Sequence, residues 1–331
     1  MGGRGDFLTQ RHKGTEGWDF RTLYDALVII LIAQQPDKPG KRPMAEFPTV
    51  FCLASGRSGT HFLYEILRRN TRGVVCRHEP YFWNPSMFGR PIYDHTVGDE
   101  AAVRMVAERK RRAIEGDSRA AGYVETNHAF LKSWADIAIE FFPKMKLVHL
   151  IRNPLSVAKS EAIREDLIHR WRLPLRNYRG RDGKSYFRWA LSGLEPIFES
   201  ASSKPLSSFQ WYVVQWIEIE NRAMQFLRKH GKEHDCFTLH SPVELNDAAN
   251  VQSLLEFLEL PRQGKEIQLQ GSKNRTPGVK TEITPSDKQE FADVVKLLPA
   301  SYLEIFQQPP YCQWEWAKGL MPNRPAMPPT P

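Results

Sequence analysis

Residues 49–69 read TVFCLASGRSGTHFLYEILRR, and the fold turns on how this stretch divides. Val50 to Ala54 is a short apolar run of the kind a buried strand shows. Ser55, Gly56 and Gly59 break it, and Phe62, Leu63, Ile66 and Leu67 then fall at helical spacing. The stretch is therefore strand, tight loop, helix. Such a junction leaves the N–H groups of the first helical turn without partners and aims them, with the positive end of the helix dipole, at whatever lies in front. Glycine at 56 and 59 lets the backbone approach an anion closely, Arg57 adds a fixed charge, and Ser58, Thr60 and His61 add side-chain donors. A phosphate cradle is expected. The loop lacks the glycine-lysine-hydroxyl order that holds magnesium in nucleotide triphosphatases, and it places an arginine before its second glycine.

A chain of 331 residues with 41% apolar and 25% charged residues has the make-up of a soluble globular protein rather than a disordered one. Its net charge of +8 favours an anionic ligand, which a nucleotide satisfies as well as a nucleic acid does. Cys52, Cys76, Cys236 and Cys312 stand far apart with no C-x-x-C pair, so neither a zinc site nor a disulfide framework is indicated, and a reducing, cytoplasmic setting is expected. The apolar run 26–33 (ALVIILIA) is too short to span a bilayer. It reads as an N-terminal helix packed on the domain, with membrane contact as the alternative.

Further strands are expected at Gly73 to Cys76, Gly122 to Glu125, Lys146 to Ile151 and Cys236 to Leu239, separated by helical patterns such as Ala129 to Phe142 and Ser207 to His230. Alternating strands and helices imply a three-layer α/β/α domain around a central parallel sheet. The expected organisation is a tail and helix over 1–47, the domain over 48–300, and a Pro-rich unstructured tail over 301–331. Residues 81–98 read as an irregular aromatic segment over a pocket.

In this form SGRSGTHFL resembles the 5′-phosphosulfate loop of sulfotransferases that use 3′-phosphoadenosine 5′-phosphosulfate (PAPS). A second stretch, LVHLIRNPLSVAKS, puts Arg152 at a strand end and Ser160 two turns along the next helix, so that both can face one ligand. It resembles the arrangement that grips the 3′-phosphate of PAPS in the same family. Trp211 and Tyr212 in SFQWYVVQWIE resemble the family's Ser-Trp-Tyr segment, whose tyrosine touches the adenine. Phe62 stands where cytosolic members carry a stacking tryptophan. The Lys273 to Arg275 turn is a loose counterpart of the loop that closes the 3′-phosphate site. The resemblance covers residues 48 to about 260 and implies a PAPS-dependent sulfotransferase with a P-loop-like fold and PAPS as co-substrate. The expected acceptor is a small-molecule, glycan or lipid hydroxyl, with no metal, no nucleic acid and no transmembrane segment.

Two residues compete for the base that takes the acceptor's proton. Glu79 matches the acidic base region of tyrosylprotein and carbohydrate sulfotransferases, whereas His128 in YVETNHAF matches the Lys-Thr-His segment of cytosolic members, with Glu125 in place of the lysine. Glu79 is favoured, with His128 orienting the acceptor or nucleotide. Arg57 is placed to stabilise the leaving 5′-phosphate. The rivals are a nucleotide-dependent kinase and a nucleotide-binding protein of the same fold without turnover.

Overall fold

The computed structural model describes residues 47–81, 83–172, 176–202, 204–269 and 281–320. The apolar run 26–33, the Lys273 to Arg275 turn and residues 321–331 lie outside them. Strand β1 (Thr49–Ala54) is buried at every position because it runs through the middle of a parallel sheet. Its neighbours are β3 (Gly122–Glu125) on one side and β4 (Lys146–Ile151) on the other, while β2 (Val74–Arg77) and β7 (Cys236–His240) form the edges. Strands covered on both faces need continuous apolar runs rather than alternation with polar residues, as in TVFCLA and KLVHLI.

The pleat sends Phe51, Leu53, Leu147 and Ile151 into one apolar layer and Val50, Cys52, Ala54, Val148 and Leu150 into the other. Helix α1 (Thr60–Asn70) lays Leu63, Ile66 and Leu67 on the second layer beside α8 (Ala248–Leu258). The first layer is covered by α3 (Glu100–Gly116), α4 (Ala135–Phe141), α5 (Pro154–Arg170), α7 (Ser208–His230) and α9 (Pro285–Val295). Each large apolar side chain buried this way contributes about 1.5–3 kcal/mol. This is the three-layer α/β architecture with a five-stranded parallel sheet that the sequence implies.

Differences from the sequence reading have local causes. Residues 81–98 are not wholly irregular, because Pro91 starts a short helix α2 (Arg90–Thr96). The helix expected from Ala129 begins as a π turn, Phe130–Trp134, before α4. Between α5 and α7 lie an antiparallel hairpin, β5 (Asn177–Arg179) with β6 (Ser185–Phe187), and a short helix α6 (Pro196–Ser200). The run Gly183-Lys184-Ser185 belongs to the hairpin and precedes no helix, so it is no phosphate loop.

The expected tail from 301 needs correction over residues 300–320. Turns at Ala300–Tyr302, Glu304–Gln307, Tyr311–Gln313 and Glu315–Leu320 pack on α7. Phe306 stacks on Trp216 at 5.3 Å, and Tyr311 Oη donates to Glu220 at 2.8 Å, beside the buried His149 of β4. Proline content suggested a loose end, but the aromatic residues between the prolines have enough apolar area to dock it.

Candidate active site

Helix α1 begins at Gly59, with φ of +103° and no side-chain cap. The helices α3, α5, α7, α8 and α9 are capped by Asp99, Asn153, Ser207, Asp247 and Thr284, whereas α1, like the shorter α2, α4 and α6, has no side-chain cap. The first-turn amides of α1 could therefore face an anion. Two glycines are required by close approach. A Cβ on Gly56 would lie 1.8 Å from Glu161 Oε1 and 3.3 Å from His128 Cε1, and one on Gly59 would lie 2.4 Å from Ser241 Oγ. Arg57 holds φ of +59° and Glu79 φ of +44°, a left-handed conformation that costs a non-glycine residue about 1–3 kcal/mol. Two of the expected site residues therefore carry backbone strain. Ser58 turns inward to Ser55 (2.7 Å between hydroxyls), Thr60 is buried, and His61 turns outward against the His78 ring at 5.0 Å.

Ala54 of β1 is level with Leu150 of β4, so the two following loops leave the sheet side by side. They do so where the chain, having built one half of the sheet, crosses to the other, the place where open α/β sheets bind ligands. Here Arg152 Nη1 donates to the Arg57 carbonyl at 2.8 Å, and Arg57 Nε donates to Ser160 Oγ at 2.9 Å. Neither guanidinium has a carboxylate within ion-pair distance among the described residues. Burial, and then the nearby Arg57 charge, weigh against the charged form of Arg152 and lower its pKa. Burial likewise lowers that of Arg57. Two neighbouring guanidinium groups, neither in an ion pair and Arg57 only partly offset by the charges of Glu161 and Glu79, suit an anionic ligand. The loop glycines, the uncapped amides, both arginines and Ser160 together suit a nucleotide carrying separate phosphate groups.

Beside the loop lies a polar cluster. His128 is 2% exposed, neither ring nitrogen has a hydrogen-bond partner, and its Nε2 lies 3.4 Å from Glu79 Oε1. Burial, followed by the charges of Lys132, Arg164, His78 and Arg57, holds its pKa well below the usual histidine value. Glu79 is more open and lies 3.9 Å from His78 Nε2. His78 Nδ1 donates to the Thr126 carbonyl at 2.8 Å. The structure thus brings Glu79, His128 and the phosphate loop together.

The sequence reading missed Glu161 and Lys132 and gave Arg164 no role beyond a basic stretch, 164–188, walling the acceptor pocket. Glu161, wholly buried, packs against Gly56 and pairs with Arg164 at 2.6 Å. Arg164 lies over the rings of Phe187 and Trp189, and the buried Lys132 donates to the Trp189 carbonyl at 2.6 Å. The missing signal was helical phase. Ser160, Glu161 and Arg164 share one face of α5, and Lys132 follows His128 by four residues. Tyr212 is sealed in the core at 1% exposed, where burial and then Glu161 and Glu165 raise its hydroxyl pKa. The charges of Glu161 and Arg164 both act on it, so it lies in the neighbourhood of this cluster. A separate cavity of about 670 Å³, lined among others by His95, Trp134, Asp136 and His230, includes none of the expected site residues.

Among the described residues no group of histidine, cysteine, aspartate or glutamate is arranged to hold a metal ion, and no helix is long and apolar enough to cross a membrane. All four cysteines are unpaired. No family model matches the chain, and no curated protein matches it. Among solved structures, the chain is similar to a sulfotransferase from Alicyclobacillus acidocaldarius, at 17% identity over 77% of this chain and 95% of that one, with a TM-score of 0.41. It is also similar to the sulfotransferase domain of the Synechococcus PCC 7002 olefin synthase, at 12% identity over 79% of this chain and 96% of that one, with a TM-score of 0.36.

Proposed function

We propose that the protein is a sulfotransferase that moves a sulfuryl group from PAPS to an acceptor hydroxyl and releases adenosine 3′,5′-bisphosphate. The observation that carries this reading is the convergence of Arg57 and Arg152, without a carboxylate partner, at an uncapped helix start. PAPS bound there would supply a sulfuryl group on a phosphate leaving group. The α1 amides and Arg57 would hold the 5′-phosphate and take up the charge that develops on it as the sulfur–oxygen bond breaks. Arg152 and Ser160 would hold the 3′-phosphate.

Glu79 and His128, 3.4 Å apart, would receive the acceptor hydroxyl between them and the loop. Burial, and then the positive charge around His128, disfavour an imidazolium, so this ring would orient the acceptor. Glu79, on the open side and next to two histidines, takes the proton. The reaction then needs positioning and electrostatics, with the chain supplying both. Phe187 and Trp189, whose rings lie against Arg164, would offer an acceptor an apolar surface.

Calorimetric titration with adenosine 3′,5′-bisphosphate, followed by incubation of purified protein and cell extract with ³⁵S-labelled PAPS, tests the reading. Micromolar binding and a labelled product identified by mass are expected. Absence of nucleotide binding overturns it, and binding without any labelled product leaves a binding protein in its place.

A further inference from the structure

Lys132 is a buried charge that the reaction as described leaves without a role. The chain contains a second wholly buried lysine, and the comparison is instructive. Lys110 meets Glu125 at 2.8 Å, Asn84 Oδ1 at 2.8 Å and the Pro85 carbonyl at 2.8 Å, which fills the three donors of its ammonium. Lys132 meets only the Trp189 carbonyl, and no carboxylate stands within ion-pair distance among the described residues. Two of its donors are open. Leaving an ammonium so poorly matched in the interior is expensive.

The location supplies the reason. Lys132 sits on the π turn that follows His128, and His128 touches the Gly56 position of the phosphate loop. Its one hydrogen-bond partner among the described residues, Trp189, also carries the ring that Arg164 covers. The charged groups around it are His128 on its own element, Glu79 beyond β2, Glu161 and Arg164 on α5, and Arg222 on α7. The ammonium therefore belongs to the same buried charged cluster as His128, Glu79 and Glu161, and His128 and Glu161 in turn touch the loop that would hold the leaving phosphate.

Resting on the sulfotransferase reading, we propose that Lys132 is a catalytic residue whose ammonium binds an oxygen of the sulfuryl group in transit. In that step the bond from sulfur to the 5′-phosphate oxygen breaks and the bond from sulfur to the acceptor oxygen forms. The acceptor proton goes to Glu79, and Lys132 keeps its own proton and contributes charge. Burial, partly offset by Glu161, lowers the lysine pKa to about 7 in the free protein, so an arriving anion stabilises a charge that the empty site holds poorly.

PAPS and adenosine 3′,5′-bisphosphate differ only in the sulfuryl group, so their relative affinity isolates this contact. In the full-length Lys132→Met variant the bisphosphate should bind within about twofold of wild type, while PAPS weakens by about 10- to 100-fold, the range of one charge-assisted hydrogen bond. Lys132→Gln keeps a donor for the Trp189 carbonyl, so a merely structural lysine is restored by it, whereas the sulfuryl contact is not. Equal losses for both nucleotides, or no loss for either, overturn the assignment. A wild-type protein that binds neither nucleotide overturns the sulfotransferase reading instead. A third measurement needs no variant. From pH 7.5 to 9, past the titration of the bisphosphate's own phosphates at about pH 6, the wild-type preference for PAPS should fall about tenfold as free Lys132 loses its proton. A flat preference counts against the proposal.

Discussion

Arg152 donates from its side chain to the backbone carbonyl of Arg57 at 2.8 Å, so the loop after β4 holds the loop after β1 in place. The tie explains how Arg57 is kept at a positive φ while its own Nε reaches Ser160. It also makes the two arginines one unit, since removing Arg152 takes away both a charge and the hold on its neighbour's backbone.

The first expectation follows from that coupling. Arg152→Lys keeps the charge but loses the planar fork that reaches a carbonyl and a ligand at once. Its affinity for adenosine 3′,5′-bisphosphate should fall by about 10- to 100-fold in a calorimetric titration. Arg57→Ala and Arg152→Ala should each lose at least as much, and the double variant should lose less than the product of the two single losses. Strict multiplicativity between the two sites would argue that the hydrogen bond couples nothing.

Gly56→Ala tests how closely the loop is applied to α5. The added methyl meets Glu161 Oε1 at 1.8 Å, and that carboxylate is buried and held by Arg164. Overpacking of this kind costs about 1–3 kcal/mol. Urea unfolding should register that loss, and bisphosphate affinity should drop with it because the collision displaces the cradle. A variant as stable and as tight as wild type would mean that Glu161 yields freely.

Much of this arrangement was legible in the sequence, and what was not has physical reasons. The apolar runs TVFCLA and KLVHLI, each closing on a polar loop with an arginine, specify buried parallel strands and put Arg57 and Arg152 at neighbouring ends. The loop between β1 and α1 is a local feature of the chain, so spacing was enough to place it. Lys132 and Glu161 lie at helical spacing from His128 and Arg164, but only the packing of α5 and the π turn against the loop shows that this spacing matters. Tyr212, expected at the nucleotide from its family-like segment, is buried on α7 near Glu161 and Arg164. The docked residues 300–320 were hidden because the many prolines obscured the aromatic residues that anchor them.

His128 gives a pH expectation whose sign is set by its surroundings. Burial and the cationic neighbours Lys132, Arg164, His78 and Arg57 push its folded pKa well below the unfolded value, with Glu79 the one carboxylate against it. The unfolded chain therefore binds the proton first. The stability contributed by the neutral ring is complete above the unfolded pKa of about 6.5 and is lost as pH falls below it, by up to about 2 kcal/mol at pH 5. Denaturant unfolding of wild type and His128→Gln at pH 7.5 and pH 5 should show a larger loss in wild type. Equal losses would mean that Glu79 sustains a charged imidazole in the fold.

Glu125 stands where the resemblance to cytosolic enzymes led one to look for a lysine, and its contacts explain the exchange. Its carboxylate pairs with the buried Lys110 at 2.8 Å, accepts from Tyr123 Oη at 2.5 Å and from Asn127 Nδ2 at 3.1 Å. Asn127 Oδ1 in turn accepts the Ala129 amide at 2.9 Å, so this network sets the backbone on both sides of His128. Lys110→Met leaves Glu125 as an unpaired interior charge and should cost about 3–5 kcal/mol. Adding Glu125→Gln removes that charge while keeping an acceptor for Asn127, and most of the loss should return. Because the double variant retains the hold on Asn127, it should also bind adenosine 3′,5′-bisphosphate as wild type does. If stability returns but binding does not, the lysine and glutamate serve the site through their charges. If both return, they serve it only by fixing where His128 stands.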